Sequence, residues 1–315
     1  MTPQGYALWI DYLERDFIDT ELPGLIAQGA CGATSNPAIF KESFLSSKAY
    51  EGQKSGLNKK GKALYEALAI SDVQAAADVF RPLYDRGEDG YVSIEVDPAF
   101  AYDAVSTIEE GKALHKRIGR PNVMIKVPAT QEGVIAIKEL AKAGIPVNAT
   151  LVFGLDQTRR ILKVLEGEET PVVVSIFVSR FDRLLDGKLP ENLRAKAGIM
   201  NAAAHYNLIE AAGRRNIRAL FASTGVKGDH LPADYYVRQL AAAHAVNTAP
   251  LVAAKTYLGS ADRGTHLPIA QDEINTFFAA LADEAVNFDQ VCEELLRDGL
   301  TQFEKAFGEI LSAFE

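Results

Sequence analysis

Short runs of β-branched and other apolar residues recur along the chain, and stretches with the spacing of an amphipathic helix lie between most of them. The eight runs begin at residues 6, 31, 91, 123, 147, 172, 217 and 245. Most intervals hold one strand, one helix and two loops, and the two longest have room for extra helices. The pattern predicts an α/β fold, a (β/α)₈ TIM barrel with extra helices inserted after strand 2 and strand 6. The predicted strands are 6–11, 31–34, 91–96, 123–127, 147–152, 172–178, 217–223 and 245–248.

No low-complexity linker divides the chain, so we predict one barrel domain over residues 1–315. An open doubly wound sheet is the alternative, but no G-x-G-x-x-G follows the first strand. Residues 54–62 are rich in Gly and Lys and are interpreted as an exposed loop within the first insertion. Near the C terminus, Cys292, Phe303 and Phe314 belong to an apolar set with helical spacing, which predicts a helix covering the barrel.

Composition excludes several classes of protein. The 315 residues carry 33 Lys and Arg against 42 Asp and Glu, a net charge of −9, which is unusual for a nucleic-acid binder. Two distant cysteines without metal-ligand spacing favour a reducing compartment over a disulfide framework. Neither a signal peptide nor an apolar stretch long enough to span a membrane is recognisable. We therefore expect a cytoplasmic protein with no nucleic-acid or membrane partner.

Polar residues interrupt the apolar strands on one face. In the third strand, Ser93, Glu95 and Asp97 alternate with apolar residues, so they are expected to point into the barrel. Each such set ends near the carboxyl end of its strand, where barrel enzymes carry their chemistry. The other residues predicted to face inward are Trp9, Asp11, Met124, Lys126, Asn148, Thr150, Val173, Ser175, Phe177, Phe221 and Ser223.

Lys126 is the most informative of these residues, because lysine is almost never fully buried unless it is paired or has a chemical role. Its neighbours Ile125 and Val127 are those of a buried strand. Burial disfavours the ammonium form, and a neutral amine is a nucleophile that forms an imine with a carbonyl. Glu95 and Asp11 would then transfer protons beside it. A structural ion pair is the alternative interpretation.

Two cations follow the late strands. Residues 223–227 come after the seventh strand and end in Lys227, and loops at this place in many barrels bind phosphate. Arg180 follows the sixth strand and has the planar geometry that suits phosphate. The alternative for Arg180 is a surface ion pair with Asp182 or Asp186. The five histidines have no metal-ligand spacing.

Several segments together resemble transaldolase, a family of the pentose phosphate pathway within the class I aldolases. Residues 32–40 read GATSNPAIF and residues 124–133 read MIKVPATQEG, which are similar to the two long signatures of the family. Shorter matches occur in order at residues 94–97, 147–151, 174–180 and 222–227. The resemblance covers roughly residues 5 to 315.

The resemblance implies a reaction for the inward-facing residues. Lys126 would form a Schiff base with C2 of a ketose phosphate, fructose 6-phosphate or sedoheptulose 7-phosphate. Asp11 would accept the C4 hydroxyl proton as the C3–C4 bond breaks. Glu95 would move protons through a water held by Thr150. The bound dihydroxyacetone unit would then join an aldose phosphate, erythrose 4-phosphate or glyceraldehyde 3-phosphate.

The resemblance also implies a set of substrate-binding residues and no metal or organic cofactor. Arg180 would bind the substrate phosphate, and Lys227 is the nearest cation to the position where some members have a second arginine. Sugar phosphates are the expected partners, and the oligomeric state stays open with a homodimer as one candidate. The full substrate-binding set is Asn36, Asn148, Ser175, Phe177, Arg180, Ser223 and Lys227.

Two other functions are compatible with the same residues. A fructose 6-phosphate aldolase of this superfamily resembles the chain but has Gln in place of Glu95 and Tyr in place of Phe177, and it releases free dihydroxyacetone. A tyrosine hydroxyl can protonate the bound carbanion whereas Phe177 cannot, which favours transfer. The other alternative is a catalytically inactive barrel that binds sugar phosphates.

Overall fold

Eight parallel strands close into a barrel in the computed structural model, which describes residues 5–228, 230–261 and 263–315. Each strand pairs with the next along the chain, and the first pairs with the eighth. The strands are β1 (Ala7–Ile10), β2 (Ala30–Thr34), β3 (Val92–Glu95), β4 (Val123–Pro128), β5 (Val147–Val152), β6 (Val172–Phe177), β7 (Ile217–Ala222) and β8 (Ala245–Ala249). The predicted (β/α)₈ barrel is confirmed, and each strand overlaps its predicted range.

Helices surround the barrel, with additional ones after β2 and after β6. No helix in the described ranges is long and apolar enough to cross a membrane. The helices are α1 (Arg15–Thr20), α2 (Leu22–Gln28), α3 (Pro37–Ser46), α4 (Glu51–Gly56), α5 (Gly61–Asp85), α6 (Ala104–Ile118), α7 (Gln131–Lys142), α8 (Leu155–Val164), α9 (Ser179–Leu185), α10 (Ala197–Ala211), α11 (Tyr235–Gln239), α12 (Leu251–Gly259), α13 (Gln271–Asp283) and α14 (Phe288–Ala313).

Two details of the predicted organisation are wrong. Residues 54–62 are a loop only over 57–60, because α4 continues to Gly56 and α5 begins at Gly61. Asp97 does not point into the barrel: it follows β3, accepts a hydrogen bond from Ala99 N and pairs with Lys62 at 2.6 Å. A short Asx turn at the strand end therefore replaces the predicted alternation. The assignment of residues 1–315 to one domain stays a prediction.

The apolar side chains form two clusters on either side of the sheet. One cluster lies between the strands and the helices and includes Ile94, Ile125 and Phe221. The other fills the barrel interior and includes Trp9 and Met124, together with Val173, Phe177, Leu220 and Val246. The prediction that Phe221 points inward is wrong, since its neighbours Leu220 and Ala222 occupy the interior instead.

The strict alternation fails where two strands end. Leu151 in β5 and Ser223 after β7 both have a φ of 55°, in the left-handed region that few non-glycine residues adopt. The β5–β6 register shifts between Ala149 and Val152. The backbone at Leu151 and at Ser223 changes which side chains face the interior. Ser223 therefore reaches the barrel mouth although Phe221 faces outward.

The C-terminal helix α14 packs over the carboxyl-terminal side of the barrel. It contacts α3, α5, α9 and β5, and buries Phe303 and Phe307. Gly299 permits a close approach: a Cβ there would lie 2.9 Å from Leu151 Cδ2 and 3.3 Å from Arg180 Nη1. The helix thus forms a wall above the strand ends.

An ion pair with a buried carboxylate lies at the opposite, amino-terminal end of the barrel. Arg218 Nη2 in β7 lies 2.9 Å from Asp89 Oδ1, and the Asp89 side chain is 2% exposed. Trp9 Nε1 donates to the other carboxylate oxygen at 2.9 Å. Removing one partner of such a pair leaves the other charge buried and unpaired.

We predict that Arg218→Ala lowers the free energy of unfolding by roughly 3 kcal/mol, because Asp89 would lose its cation. Arg81→Ala is the matched control, since Arg81 pairs with Asp85 at 2.6 Å on the surface, and its cost is expected to stay below about 1 kcal/mol. Urea unfolding of both variants measures the difference. Equal losses would contradict a stabilising role for the buried pair.

Candidate active site

A cavity of about 160 Å³ opens at the carboxyl ends of the strands. It brings together residues from β1, β2, β4, β6, β7 and β8 with two residues of α14. Seven of the eleven predicted site residues line it, namely Asp11, Asn36, Lys126, Ser175, Phe177, Arg180 and Ser223. The remaining lining residues are Thr34, Ala38, Ala222, Thr248, Gln302 and Phe303.

Lys126 and Glu95 are register partners on adjacent strands, so both side chains point into the barrel side by side. Their charged groups lie 3.2 Å apart, Nζ to Oε2, and each residue is only 5% exposed. Lys126 Nζ also donates to the Ser35 carbonyl at 3.3 Å and lies 5.4 Å from the centre of the Phe303 ring. The ion pair alone is also what a structural lysine would form, but this amine additionally lines a cavity.

Burial raises the pKa of the Glu95 carboxyl from 4.5 to about 7, while the nearby Lys126 ammonium lowers it and Asp11 raises it. A carboxyl with such a pKa exchanges protons readily near neutral pH. Neither Glu95 oxygen accepts a hydrogen bond of normal geometry from the described residues, and the buried Thr150 hydroxyl has no partner there either. Register places Thr150 beside Pro128, two residues after Lys126. Both groups therefore keep hydrogen-bonding capacity for reactants.

Asp11 follows β1 at the edge of the cavity and is held by Thr34, which in turn contacts Thr248. Thr34 Oγ1 donates to Asp11 Oδ1 at 2.6 Å and also lies 2.6 Å from Thr248 Oγ1. Burial raises the pKa of the Asp11 carboxyl, against the lowering effects of the Lys126 charge and the Thr34 hydrogen bond. A fixed carboxylate with a raised pKa is suited to accept a proton from a hydroxyl.

Asn148 and Ser175 form a hydrogen-bonded layer beside Lys126. Ser175 Oγ donates to Asn148 Oδ1 at 2.6 Å, and Asn148 Nδ2 donates to Ser93 Oγ at 3.0 Å. Asn148 is the register partner of Lys126 on β5. These bonds fix the amide orientation, although Asn148 itself does not reach the cavity lining.

Asn36 combines a structural and a lining role at the start of α3. Its Oδ1 accepts a hydrogen bond from Ile39 N at 3.0 Å, which caps the helix, and Pro37 occupies the first helical position. The cap uses the side-chain oxygen. The amide nitrogen of Asn36 is thus the polar group available to the cavity.

Arg180 lies in the first turn of α9 with a side chain that is 11% exposed. Its guanidinium stacks over Phe177 at 5.1 Å, and its Nε and Nη1 are buried without a hydrogen-bond partner among the described residues. Burial lowers the pKa of Arg180, the charge of Arg183 lowers it further, and Asp298 raises it. Such a cation, with two donors unused, can bind an anion at the cavity mouth.

The sequence suggested Asp182 or Asp186 as the ion-pair partner of Arg180, but the acid near Arg180 in the structure is a different one. Asp182 accepts hydrogen bonds from Gly198 N and Tyr236 Oη, and Asp186 accepts one from Ala195 N. Asp298 on α14 is the acid near Arg180, at 3.6 Å from Nη1. Sequence spacing favoured neighbours along the chain, whereas packing of α14 supplied a distant one.

Four of the predicted site residues do not line the cavity, namely Glu95, Asn148, Thr150 and Lys227. Lys227 is exposed after β7 and does not line the cavity. A larger groove of about 660 Å³ lies between α8, α10, α13 and α14, but none of the predicted site residues lines it. The smaller cavity is therefore the candidate site.

Sequence reasoning missed four lining residues with polar or aromatic side chains. Thr34 is the last residue of β2 and Thr248 the last but one of β8, so the rule that singled out Asp11 would also have found them. Gln302 and Phe303 come from α14, and no strand pattern points to them. No group of three or more His, Cys, Asp or Glu residues within the described part of the chain is arranged to hold a metal ion.

The fold and the cavity define a (β/α)₈ barrel with a buried lysine and two acids at the end where barrel enzymes place their chemistry. A sequence profile of the Transaldolase/Fructose-6-phosphate aldolase family matches residues 8–314. The chain belongs to this family, which confirms the resemblance seen in the sequence.

Curated relatives cover almost the whole chain. A transaldolase of Helicobacter pylori strain HPAG1 is 42% identical over 315 residues, covering 99% of this chain and 100% of that protein. A transaldolase of Campylobacter jejuni subsp. doylei is 43% identical over 328 residues, covering 98% and 99%. Among solved structures, an aldo/keto reductase from Brucella melitensis aligns over 88% of this chain and 94% of its own with a TM-score of 0.42 and 8% identity, too distant to support an inference.

We predict that Lys126→Met raises the pKa of Glu95 above about 7, because the variant removes the cation that lowers it. Titration of ¹³C-labelled glutamate side chains by NMR measures this value directly and does not require turnover. Lys62→Met is the matched control, since Lys62 pairs with Asp97 and Glu110 instead. An unchanged Glu95 titration in Lys126→Met would contradict the coupling.

Proposed function

We propose that this protein is a transaldolase, which transfers a dihydroxyacetone unit from a ketose phosphate to an aldose phosphate through a Schiff base on Lys126. The observation that carries the proposal is the buried Lys126 amine, 3.2 Å from the Glu95 carboxylate and lining a cavity that also contains Asp11 and Arg180. At about 160 Å³ the cavity is smaller than typical drug-sized sites, which suits a short polar substrate.

Imine formation is the first step. The Lys126 nitrogen attacks C2 of fructose 6-phosphate or sedoheptulose 7-phosphate, and the ketone oxygen becomes a hydroxyl. That hydroxyl leaves as water when the carbon–nitrogen double bond forms. Glu95, with a pKa of about 7, accepts and returns the protons near the nitrogen, and a water held by Thr150 relays them.

Cleavage of the C3–C4 bond follows. Asp11 accepts the C4 hydroxyl proton, C4 becomes the aldehyde of the released aldose phosphate, and the bond electrons move into the protonated imine to give an enamine. Asn36 and Ser175 hold the hydroxyl groups of the three-carbon unit, and Asn148 positions Ser175 through their hydrogen bond. The Thr34 hydrogen bond keeps the Asp11 carboxylate in place during this step.

Transfer completes the reaction. The enamine attacks the aldehyde carbon of erythrose 4-phosphate or glyceraldehyde 3-phosphate, Asp11 returns its proton to the new hydroxyl, and water hydrolyses the imine. The phenyl ring of Phe177 cannot donate a proton to the enamine, so the intermediate persists until an acceptor arrives. Arg180 binds the phosphate, and Ser223 adds a hydroxyl beside it.

The remaining proposals concern the setting of the protein. A cytoplasmic location is supported by two free cysteines, Cys31 and Cys292, which are both buried and unlinked. Sugar phosphates are the proposed partners. The net charge of −9 argues against a nucleic-acid partner. A homodimer stays a candidate assembly, and Lys227 stays a candidate for a second phosphate contact despite its exposed position.

We predict that Lys126→Ala abolishes turnover of fructose 6-phosphate plus erythrose 4-phosphate, because no other amine lines the cavity among the described residues. Coupled detection of glyceraldehyde 3-phosphate gives the rate. Lys142→Ala is the control, since Lys142 lies on the surface and pairs with Glu139, and it is expected to keep full activity. Turnover above background in Lys126→Ala would show that the nucleophile is misassigned.

We predict that Asp11→Asn reduces kcat by about 10² to 10⁴ while imine formation continues, because general-base catalysis is worth roughly that factor. Rapid-quench experiments that follow imine formation and aldehyde release separately make the distinction. An unchanged kcat would contradict the proposed base, and loss of imine formation would assign Asp11 to the first step instead.

The two alternatives give different results in simple assays. Fructose 6-phosphate supplied without an acceptor would yield steady release of free dihydroxyacetone from an aldolase, whereas a transaldolase releases one equivalent of glyceraldehyde 3-phosphate and then stops. An inactive binding barrel would give neither product. We expect the single equivalent.

A further inference from the structure

The phosphate-binding arginine of the proposed function has a second possible ligand within the protein itself. Asp298 on α14 holds a carboxylate 3.6 Å from Arg180 Nη1, slightly beyond hydrogen-bond distance. It is the one acid within ion-pair distance of Arg180 among the described residues. The contact joins the C-terminal helix α14 to Arg180 of α9, which lines the cavity.

Arg180 and Asp298 differ in their exposed fraction and in whether their polar atoms have hydrogen-bond partners. Arg180 is 11% exposed and its Nε and Nη1 lack hydrogen-bond partners, whereas the Asp298 side chain is 50% exposed. Gln302, which lines the cavity, donates its amide hydrogen to Asp298 Oδ2 at 2.6 Å. The same oxygen therefore faces both Gln302 and Arg180. A half-exposed carboxylate regains water easily when its cation takes another anion.

The helix backbone makes this arrangement possible. Gly299 follows Asp298 directly, and a Cβ at Gly299 would lie 3.3 Å from Arg180 Nη1. The absence of that atom lets the guanidinium approach α14 closely enough to meet Asp298. Arg180 thus lies between Phe177 on one side and α14 on the other.

We propose that Asp298 is a competing counter-ion that sets the affinity of Arg180 for the substrate phosphate. In the free protein the carboxylate neutralises the guanidinium at long range. When a phosphate binds, it takes the unused donors of Arg180, and Asp298 turns to water and to Gln302. Asp298 then determines specificity without touching the reacting atoms. This inference rests on the proposed role of Arg180 in phosphate binding.

Two electrostatic effects determine how Asp298 changes the affinity for phosphate. Asp298 must release Arg180 before the phosphate binds fully, and its negative charge afterwards stands close to the phosphate dianion. Both effects weaken phosphate binding. Neither acts on an unphosphorylated sugar, so Asp298 moderates the preference for phosphorylated substrates rather than the chemistry at Lys126.

The test uses inorganic phosphate as the probe and Asp298→Asn as the variant, with binding measured by calorimetry at low ionic strength. We expect the Kd for phosphate to fall about two- to fivefold, the range given by an exposed ion pair. Glu294→Gln is the matched control, since it removes one negative charge from an exposed position one turn earlier on α14. We expect it to change Kd by less than about 1.5-fold, because Asp298, and not Glu294, is within ion-pair distance of Arg180 and an exposed charge farther away interacts weakly through water.

Kinetics supply an independent readout. In Asp298→Asn the KM for fructose 6-phosphate should fall by the same factor with kcat unchanged, while kcat/KM for unphosphorylated fructose stays the same. In an Arg180→Ala background, adding Asp298→Asn should raise kcat/KM for fructose 6-phosphate by a smaller factor than in the unmodified protein, because the competition for the cation is gone and only the repulsion between Asp298 and the phosphate remains.

The outcomes separate this inference from the proposed function. A phosphate Kd that is unchanged in Asp298→Asn, or that falls equally in Glu294→Gln, overturns the role of Asp298 whether or not the protein is a transaldolase. A lower Kd in Asp298→Asn alone supports that role. If this result accompanies a protein without transferase activity, the counter-ion stands and only the proposed function fails.

Discussion

The pair formed by Lys126 and Glu95 is the interaction on which the rest of the site depends. Two charges 3.2 Å apart and only 5% exposed are costly to bury, and their attraction repays that cost only with good geometry. The closed sheet sets the short distance, because register makes the two residues neighbours on β3 and β4, although neither Glu95 oxygen accepts a hydrogen bond of normal geometry from the described residues. Burial raises the pKa of Glu95 to about 7 although the Lys126 charge lowers it, so the carboxyl that pairs with the lysine is also able to exchange protons near neutral pH.

The C-terminal helix α14 links the two ends of the cavity. Phe303 lies against Lys126, and Asp298 faces Arg180 one and a half turns earlier on the same helix. The amine and the guanidinium thus share one structural neighbour although they lie on different strands. A single rigid helix can therefore set both the apolar surroundings of the amine and the charge near the phosphate position.

The barrel and much of the site were predictable from the sequence, because both rest on local patterns. Strand alternation placed Lys126 and Glu95 inside, and the strand-end rule gave Asp11. Alternation holds within β7, but Ser223 after the strand has a positive φ and still lines the cavity, so assigning Phe221 to the same face as Ser223 gave the wrong side of the sheet. Asp298, the acid near Arg180, could not be predicted from the sequence for a different reason. The contact depends on how α14 packs across the barrel, and it joins distant parts of the chain.

The most direct test of the account is chemical trapping of the intermediate. The protein is incubated with fructose 6-phosphate without an acceptor, reduced with borohydride, digested and analysed by peptide mass spectrometry. The account predicts one reduced three-carbon unit attached to Lys126. An adduct on another lysine, or none at all while substrate binding is still measurable, would contradict it.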